Sequence, residues 1–250
     1  MKPFLLLATR ADDSVADTEY EAFLKYGGLA PDELVRIRLE RGPMPEIDLD
    51  EYSGIIVGGG PFNATDPVDQ KSDAQLRVEA EISALLDRVV ARDFPFFGAC
   101  YGIGTLGIHQ GGVVDGTYAE RAGAVAIAVT EEGATDPVLA DLPTVFDAFV
   151  GHKEALSVAP PNATVLASSS SCPIQMFKIG QNIYATQFHP ELDVPGIVER
   201  MQAYRHEGYF APHELDALID EVSAADVSAS SRVIRNFVSR YASNYDQPDS

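Results

Sequence analysis

The sequence predicts an α/β fold with a mostly parallel central sheet, a smaller antiparallel sheet and a C-terminal helical extension. Two rhythms carry that expectation. Through roughly the first hundred residues, apolar strand-like runs alternate with helical patterns, the signature of a parallel sheet wound with helices. From Ala124 onwards the strand-like runs follow one another without clear intervening helices, which reads as an antiparallel meander. Helical spacing returns after Pro195, so the expected division is a domain over residues 1–195 with a helical extension over 196–250 packed on it.

The wound half begins with the apolar run 4–9, continues through a helix over 18–29 and a strand over 34–39, and reaches a strand at 54–57. The clearest helix comes next: Val78, Ile82, Leu85, Leu86 and Val89 share one face, while Arg77, Glu81 and Arg88 fall on the other. A strand over 94–97 closes this half. The meander comprises the runs 124–130, 144–150, 163–168, 173–179 and 182–188, with Gly180-Gln181 as a compact hairpin connection in a primed turn. In the extension, Leu215, Leu218, Ile219 and Val222, then Ile234, Phe237, Val238 and Tyr241, recur at helical spacing.

A chain of 250 residues that is 46% hydrophobic, with 20 Gly and 16 Pro, fits one folded unit rather than a disordered or collagen-like segment. Its 18 Lys and Arg face 38 Asp and Glu, and the net charge of −20 argues against nucleic acid as a partner because little is left to neutralise phosphates. The first apolar run is too brief for a signal peptide, and no apolar stretch approaches a bilayer span. The expectation is a cytoplasmic protein with no membrane association. Cys100 and Cys172 lie far apart and outside any Cys-x-x-Cys pattern, which supplies neither a disulfide framework nor a zinc ribbon. No cofactor and no metal are expected.

The most informative stretch is Phe96-Phe97-Gly98-Ala99-Cys100-Tyr101-Gly102, an apolar strand running into Gly-x-Cys-x-Gly and then a helix. This is the nucleophile-elbow pattern with sulfur in place of oxygen. A sharp strand-to-helix turn brings backbone close on both sides of the nucleophile and strains it, so only small flanking residues fit. The turn presents Cys100 at the carboxyl edge of the sheet, where a helix N-terminus and an adjacent imidazolium favour a thiolate. The diffuse negative charge of the chain opposes this but is screened beyond about 8 Å at physiological salt. The competing role is a buried structural thiol, the commonest fate of a free cysteine. That role is assigned to Cys172, which has no elbow glycines.

A thiolate nucleophile needs a histidine to share its proton and a third group to orient the ring. His189 stands out in Gln187-Phe188-His189-Pro190-Glu191, at the end of an apolar strand that Pro190 terminates. Residues two apart on an extended chain lie on one side, roughly 7 Å apart at Cα, so the Glu191 carboxylate can reach the His189 ring. Taken alone, His-Pro-Glu reads as a surface turn; beside the elbow it reads as a base and its orienter. His109 is expected to cap the elbow helix, and His206 and His213 to be solvated.

Gly58-Gly59-Gly60-Pro61 follows a strand, and glycines there let backbone N–H groups point at a developing oxyanion. An ordinary tight turn is the alternative. Gly102-x-Gly104-x-x-Gly107 satisfies the dinucleotide-binding pattern, but its helix would stop at Gly111-Gly112 and no acidic residue ends a following parallel strand. Those glycines suit the elbow better.

With Gly59-Gly60-Pro61, Gly98-x-Cys100-x-Gly102 and Gln187-Phe188-His189-Pro190-Glu191 in this order, the sequence resembles the class I glutamine amidotransferases, particularly the amidotransferase domain of GMP synthetase, over residues 1 to 195. The resemblance implies a flavodoxin-like three-layer sandwich that hydrolyses the glutamine side-chain amide to glutamate and ammonia through a thioester. It implies Cys100 as nucleophile, His189 as acid and base, and Glu191 as orienter. Gly60 of the Gly59-Gly60 pair and Tyr101 would supply oxyanion N–H groups, and the backbone at Gly151-His152 would hold the amino-acid end of the substrate. Two departures bear on this. Gly104 stands where the family usually places a glutamine that contacts the substrate, and the synthetase motif Ser-Gly-Gly-Val-Asp is absent, so any ammonia is expected to go to a separate synthetase or acceptor subunit or be released.

Three functions are therefore weighed: a glutaminase-type amidotransferase, a γ-glutamyl peptidase or hydrolase of the same fold, and a binding or scaffold protein with an idle site. The expected partner is a small molecule, glutamine or a γ-glutamyl compound. A homo-oligomer is compatible with the sequence.

Overall fold

The structure, a computed structural model, describes residues 1–242; residues 243–250 of the expected extension lie outside the described residues. The expected parallel half consists of β1 (Phe4–Ala8), β2 (Leu34–Arg38), β3 (Gly54–Val57) and β4 (Phe96–Ala99), with α1 (Asp13–Gly27) and α2 (Asp73–Ala91) as crossovers. The α2 residues Val78, Ile82, Leu85, Leu86 and Val89 are all buried, and Ser72 caps the helix by accepting from the Gln75 N–H. After β4 come α3 (Tyr101–His109), β5 (Val113–Asp115), β6 (Glu120–Val129), β7 (Val145–His152), β8 (Ala155–Val158), β9 (Ala163–Ser168), β10 (Met176–Ile179) and β11 (Ile183–Thr186). Three further helices follow, α4 (Val194–Ala203), α5 (Leu215–Ser223) and α6 (Arg232–Ala242).

The mixed α/β class is the one expected. One nine-stranded sheet runs β2-β1-β3-β4-β11-β10-β9-β6-β7, and β5 pairs with β8 in a small antiparallel sheet of its own. Alternation along the strands sends Phe4, Leu6, Ile56 and Phe97 to one face and Leu5, Leu7, Ile55 and Phe96 to the other. Helices α1 and α6 cover the first face, and α2 and α3 cover the second, which makes three layers. Helix α6 is anchored by Phe237, whose ring lies 5.4 Å from that of Phe97 and 6.1 Å from that of Phe4. Its five buried side chains, Val233, Ile234, Phe237, Val238 and Tyr241, contribute about 1.5–3 kcal/mol each at most. Helices α4 and α5 pack against Ala122 of β6 and Phe149 of β7.

Two local expectations are corrected. The run containing β11 does not continue the antiparallel meander on both sides: it pairs antiparallel with β10 but parallel with β4, Ile183 opposite Phe96 and Thr186 opposite Ala99. All four β11 residues are buried, as suits a strand covered on both faces. The β10–β11 connection is a three-residue loop, 180–182, closed by the Ile179–Ile183 pair, rather than a two-residue turn. Gly180 takes the left-handed conformation at φ 58°, and the Asp93 carboxylate accepts from the N–H groups of Gln181 and Asn182. No described helix is long and apolar enough to cross a membrane.

Candidate active site

Because β4 and β11 are neighbouring parallel strands, their carboxyl ends open side by side. Cys100 follows β4, and its N–H donates to the Thr186 carbonyl of β11 at 2.8 Å. Its backbone sits at φ 51°, ψ −91°, a conformation that costs a side-chain-bearing residue on the order of 1–3 kcal/mol. The flanking glycines permit this turn. A Cβ on Gly98 would lie 2.7 Å from the carbonyl carbon of Gly102, and Gly102 packs against Val57 of β3. Gly107 packs against Leu156 of β8, where a Cβ would lie 2.7 Å from its side chain, so two of the three glycines in the dinucleotide-like pattern serve packing. At the other end of α3 the N–H groups of Gly111 and Gly112 bond the carbonyls of Ile108 and Gly107, with Gly111 left-handed at φ 84°. The expected capping role of His109 is therefore filled by glycine backbone; the His109 ring instead faces Asp87 of α2 at 3.0 Å.

His189 lies just past β11, pinned where its N–H bonds the Phe149 carbonyl of β7 at 2.9 Å. The ring is buried, with Nδ1 2.8 Å from Glu191 Oε1, and it lines one cavity with Cys100. Burial works against the charged ring. The charges of Glu191 and Cys100 and their hydrogen bonds outweigh it, and carry His189 from its ordinary 6.5 up to about 9. Burial likewise opposes the charged form of Glu191, but His189 and Arg200 hold it well below the usual carboxylate range. The structure thus brings Cys100, His189 and Glu191 into one contiguous set. Cys172 is buried elsewhere with its thiol directed to the Ile174 carbonyl, and burial pushes it up to about 11. His206 and His213 are exposed, as expected.

A group of charges that no sequence motif announced lies behind this set. Arg200 of α4 donates from Nη1 to Glu191 at 3.0 Å and from Nη2 to Glu19 of α1 at 3.3 Å. Glu19 also accepts from Arg10 Nε at 2.8 Å, and Arg10 Nη1 reaches the Tyr204 hydroxyl at 3.3 Å. Glu19, Arg10 and Arg200 are all buried. Arg200 Nη1 also lies 3.1 Å from His189 Nδ1, but that nitrogen carries the proton shared with Glu191, so the guanidinium hydrogen bond goes to the carboxylate. The signal available in the sequence was Glu19 on the buried stripe of α1 and Arg200 on that of α4, charges among apolar positions.

The glycines after β3 run over this network. A Cβ on Gly58 would lie 2.7 Å from Glu19 Oε2, and one on Gly59 would lie 2.6 Å from Arg10 Nη2 and 2.8 Å from His189 Cε1. Gly59 is therefore set against the charged side chains, and Gly60 is the member of the pair that lines the cavity at Cys100. Tyr101 is the first residue of α3, whose N–H has no carbonyl one turn back to bond. Gly151 and His152 line the same cavity. The His152 ring bonds Glu120 at 2.7 Å and the Glu154 carbonyl at 3.0 Å, and Gln175 and Ser171 complete the shell around Glu120. A Cβ on Gly104, which is buried, would meet Glu154 Oε1 at 3.8 Å, an ordinary contact.

The model of the family described as glutamine amidotransferase class-I matches residues 33–195. The chain belongs to that family. A curated relative, GMP synthase [glutamine-hydrolyzing] of Xylella fastidiosa, is 30% identical over 142 residues, which is 56% of this chain and 25% of the relative. The chain thus spans about a quarter of the length of the curated relatives it matches. Among solved structures, a glutamine amidotransferase from Thermotoga maritima superposes with a TM-score of 0.77 at 18% identity, covering 97% of this chain and 99% of that one. A putative GMP synthase subunit from Thermoplasma acidophilum gives 0.64 at 20% identity, covering 97% and 96%. These two likenesses show the amidotransferase fold over nearly the whole described chain, α4 to α6 included.

Proposed function

We propose that the protein hydrolyses the side-chain amide of glutamine to glutamate and ammonia through a thioester on Cys100. The observation that carries this reading is the gathering of Cys100, His189 and Glu191 at the carboxyl ends of β4 and β11, with Cys100 and His189 lining one cavity and Glu191 2.8 Å from the ring. The Cys100 thiolate attacks the amide carbon, and the oxyanion is received by the N–H groups of Gly60 and Tyr101. Imidazolium His189 gives its proton to the nitrogen as the carbon–nitrogen bond breaks, and ammonia leaves. Neutral His189 then takes a proton from water, which attacks the thioester and releases glutamate. Glu191 holds the tautomer with Nδ1 protonated, and the Arg200 guanidinium holds Glu191. The Gly151-His152 backbone receives the amino-acid end of the substrate, and a separate synthetase or acceptor subunit takes the ammonia.

The test is mass spectrometry of the intact protein after exposure to a glutamine-mimicking diazo-ketone, with glutamate release from glutamine measured in parallel. A single adduct on Cys100, with release abolished in Cys100→Ala, is the expected result. Equal release by the parent and Cys100→Ala would falsify the reading.

A further inference from the structure

Other groups come too close to Gly58, Gly59 and Gly60 for any of them to carry a side chain, and a Cβ on Gly60 would collide with the Thr9 hydroxyl. Close packing thus calls for three successive glycines, which brings wide backbone freedom to the place where an oxyanion donor must be aimed. Gly58 is still held by the sheet, its N–H bonded to the Leu7 carbonyl of β1 at 3.1 Å. The far end of the loop is held as well: the Glu154 carboxylate accepts from the N–H groups of Ala64 at 2.6 Å and Thr65 at 2.9 Å. Between these ends, from Gly59 to Phe62, one hydrogen bond reaches the backbone among the described residues. The hydroxyl of Thr9, the buried residue that follows β1, donates to the Gly59 carbonyl at 3.2 Å.

That bond acts on the peptide unit shared by Gly59 and Gly60. No peptide among the described residues is cis, so the Gly59 carbonyl and the Gly60 N–H point in opposite directions from one plane. A hydroxyl that fixes the carbonyl on one side therefore fixes the direction of the N–H on the other. Gly60 lines the cavity at Cys100, and Thr9, behind the loop, does not. The Gly60 N–H donates to no acceptor among the described residues, which leaves it for a substrate oxygen. Without the hydroxyl the Gly59 carbonyl loses its donor, and the two glycines offer no side-chain barrier to turning the plane over.

We propose that Thr9 is a positioning residue for the oxyanion site: its hydroxyl holds the Gly59–Gly60 peptide in the orientation that turns the Gly60 N–H towards Cys100. This rests on the proposed hydrolysis, in which that N–H receives the oxyanion. Thr9 acts through the peptide plane and not on the substrate itself. Because the oxyanion develops only in the transition state, loss of the hydroxyl falls on kcat and spares KM.

The experiment measures kcat and KM for glutamine hydrolysis in the parent, Thr9→Val, Thr9→Ala and Thr9→Ser, together with the rate of Cys100 alkylation by iodoacetamide across pH. Alkylation displaces iodide from a methylene carbon and forms no oxyanion, so it reports the thiolate and His189 without the Gly60 N–H. Thr9→Val and Thr9→Ala should each lose on the order of 10²-fold in kcat with KM within about threefold of the parent. Thr9→Ser keeps the hydroxyl and should stay within about threefold in both constants. Alkylation and its pH profile should be unchanged in all three variants. Three results overturn the proposal and leave the glutaminase reading standing: no loss of kcat in Thr9→Val and Thr9→Ala, an equal loss in Thr9→Ser, or a fall in alkylation that matches the fall in kcat and so marks a site loosened as a whole. A parent that releases no glutamate, or releases it equally in Cys100→Ala, overturns the hydrolase reading and this proposal together.

Discussion

His189 and His152 are both buried, each with a glutamate at hydrogen-bond distance, 2.8 Å to Glu191 and 2.7 Å to Glu120. What separates them is the remaining ring nitrogen. In His189 no fixed oxygen among the described residues takes the second nitrogen, the ring lines one cavity with Cys100, and a guanidinium backs the carboxylate. In His152 the second nitrogen is taken by the Glu154 carbonyl, and the carboxylate is backed by Gln175 and Ser171. A histidine with both nitrogens committed to fixed acceptors can hold a strand end in place but has none left to exchange with a substrate. The glutamate partner is common to both sites, so under the proposed mechanism it is the Cys100 thiol and the Arg200 cation that set the first pair apart from the second.

Substitutions can break this comparison, and the largest effect is expected at the nucleophile. Cys100→Ser should lower amide hydrolysis by on the order of 10³-fold or more, measured as glutamate release, while Cys100→Gly should raise Tm by relieving the φ 51° backbone. Glu191→Gln should lower kcat by about 10²-fold or more, because the ring loses its orienting carboxylate. It should also move the alkaline limb of the pH–rate profile from about 9 towards lower pH, since burial then acts on His189 without the Glu191 charge to oppose it. Arg200→Met leaves Glu19 and Glu191 short of a buried partner and should cost about 3 kcal/mol in denaturant unfolding. Glu120→Gln, at the other pair, should cost about 1–3 kcal/mol and raise KM while leaving the alkaline limb in place. An alkaline limb that moves equally in Glu120→Gln and Glu191→Gln would erase the distinction between the two pairs.

The remaining check is stability against pH. His189 has a folded value of about 9 against an ordinary 6.5, so it binds its proton more tightly when folded. Its contribution is complete below about 6.5 and is lost as the pH rises through about 9. Thermal melts of the parent should show this alkaline loss, and His189→Gln should lack it.

The members of the site legible in the sequence are those whose chemistry is local. Gly98 and Gly102 flank Cys100 because the turn itself needs them, and Glu191 is two residues from His189, so pairing follows from extended geometry. The pairing of His152 with Glu120 spans 32 residues, and that of Arg200 with Glu19 spans 181. No local pattern announces such partners, since each depends on which strands and helices become neighbours. The triple glycine shows the same limit. Its position after β3 was readable, but the side chains that exclude a Cβ at Gly58 and Gly59 come from α1, from the segment past β11 and from Arg10.

By itself the sequence determined the alternation of strands and helices, the elbow at Cys100 and the His189–Glu191 pair, because hydrophobic period and turn sterics act between neighbours along the chain. Only the tertiary structure decided that β11 lies parallel beside β4, that Arg10, Glu19 and Arg200 gather behind His189, and that Leu192, Ile197 and Met201 line a cavity beside them. Those outcomes follow from burial and charge pairing among segments far apart in sequence, which acquire neighbours only when the sheet is assembled.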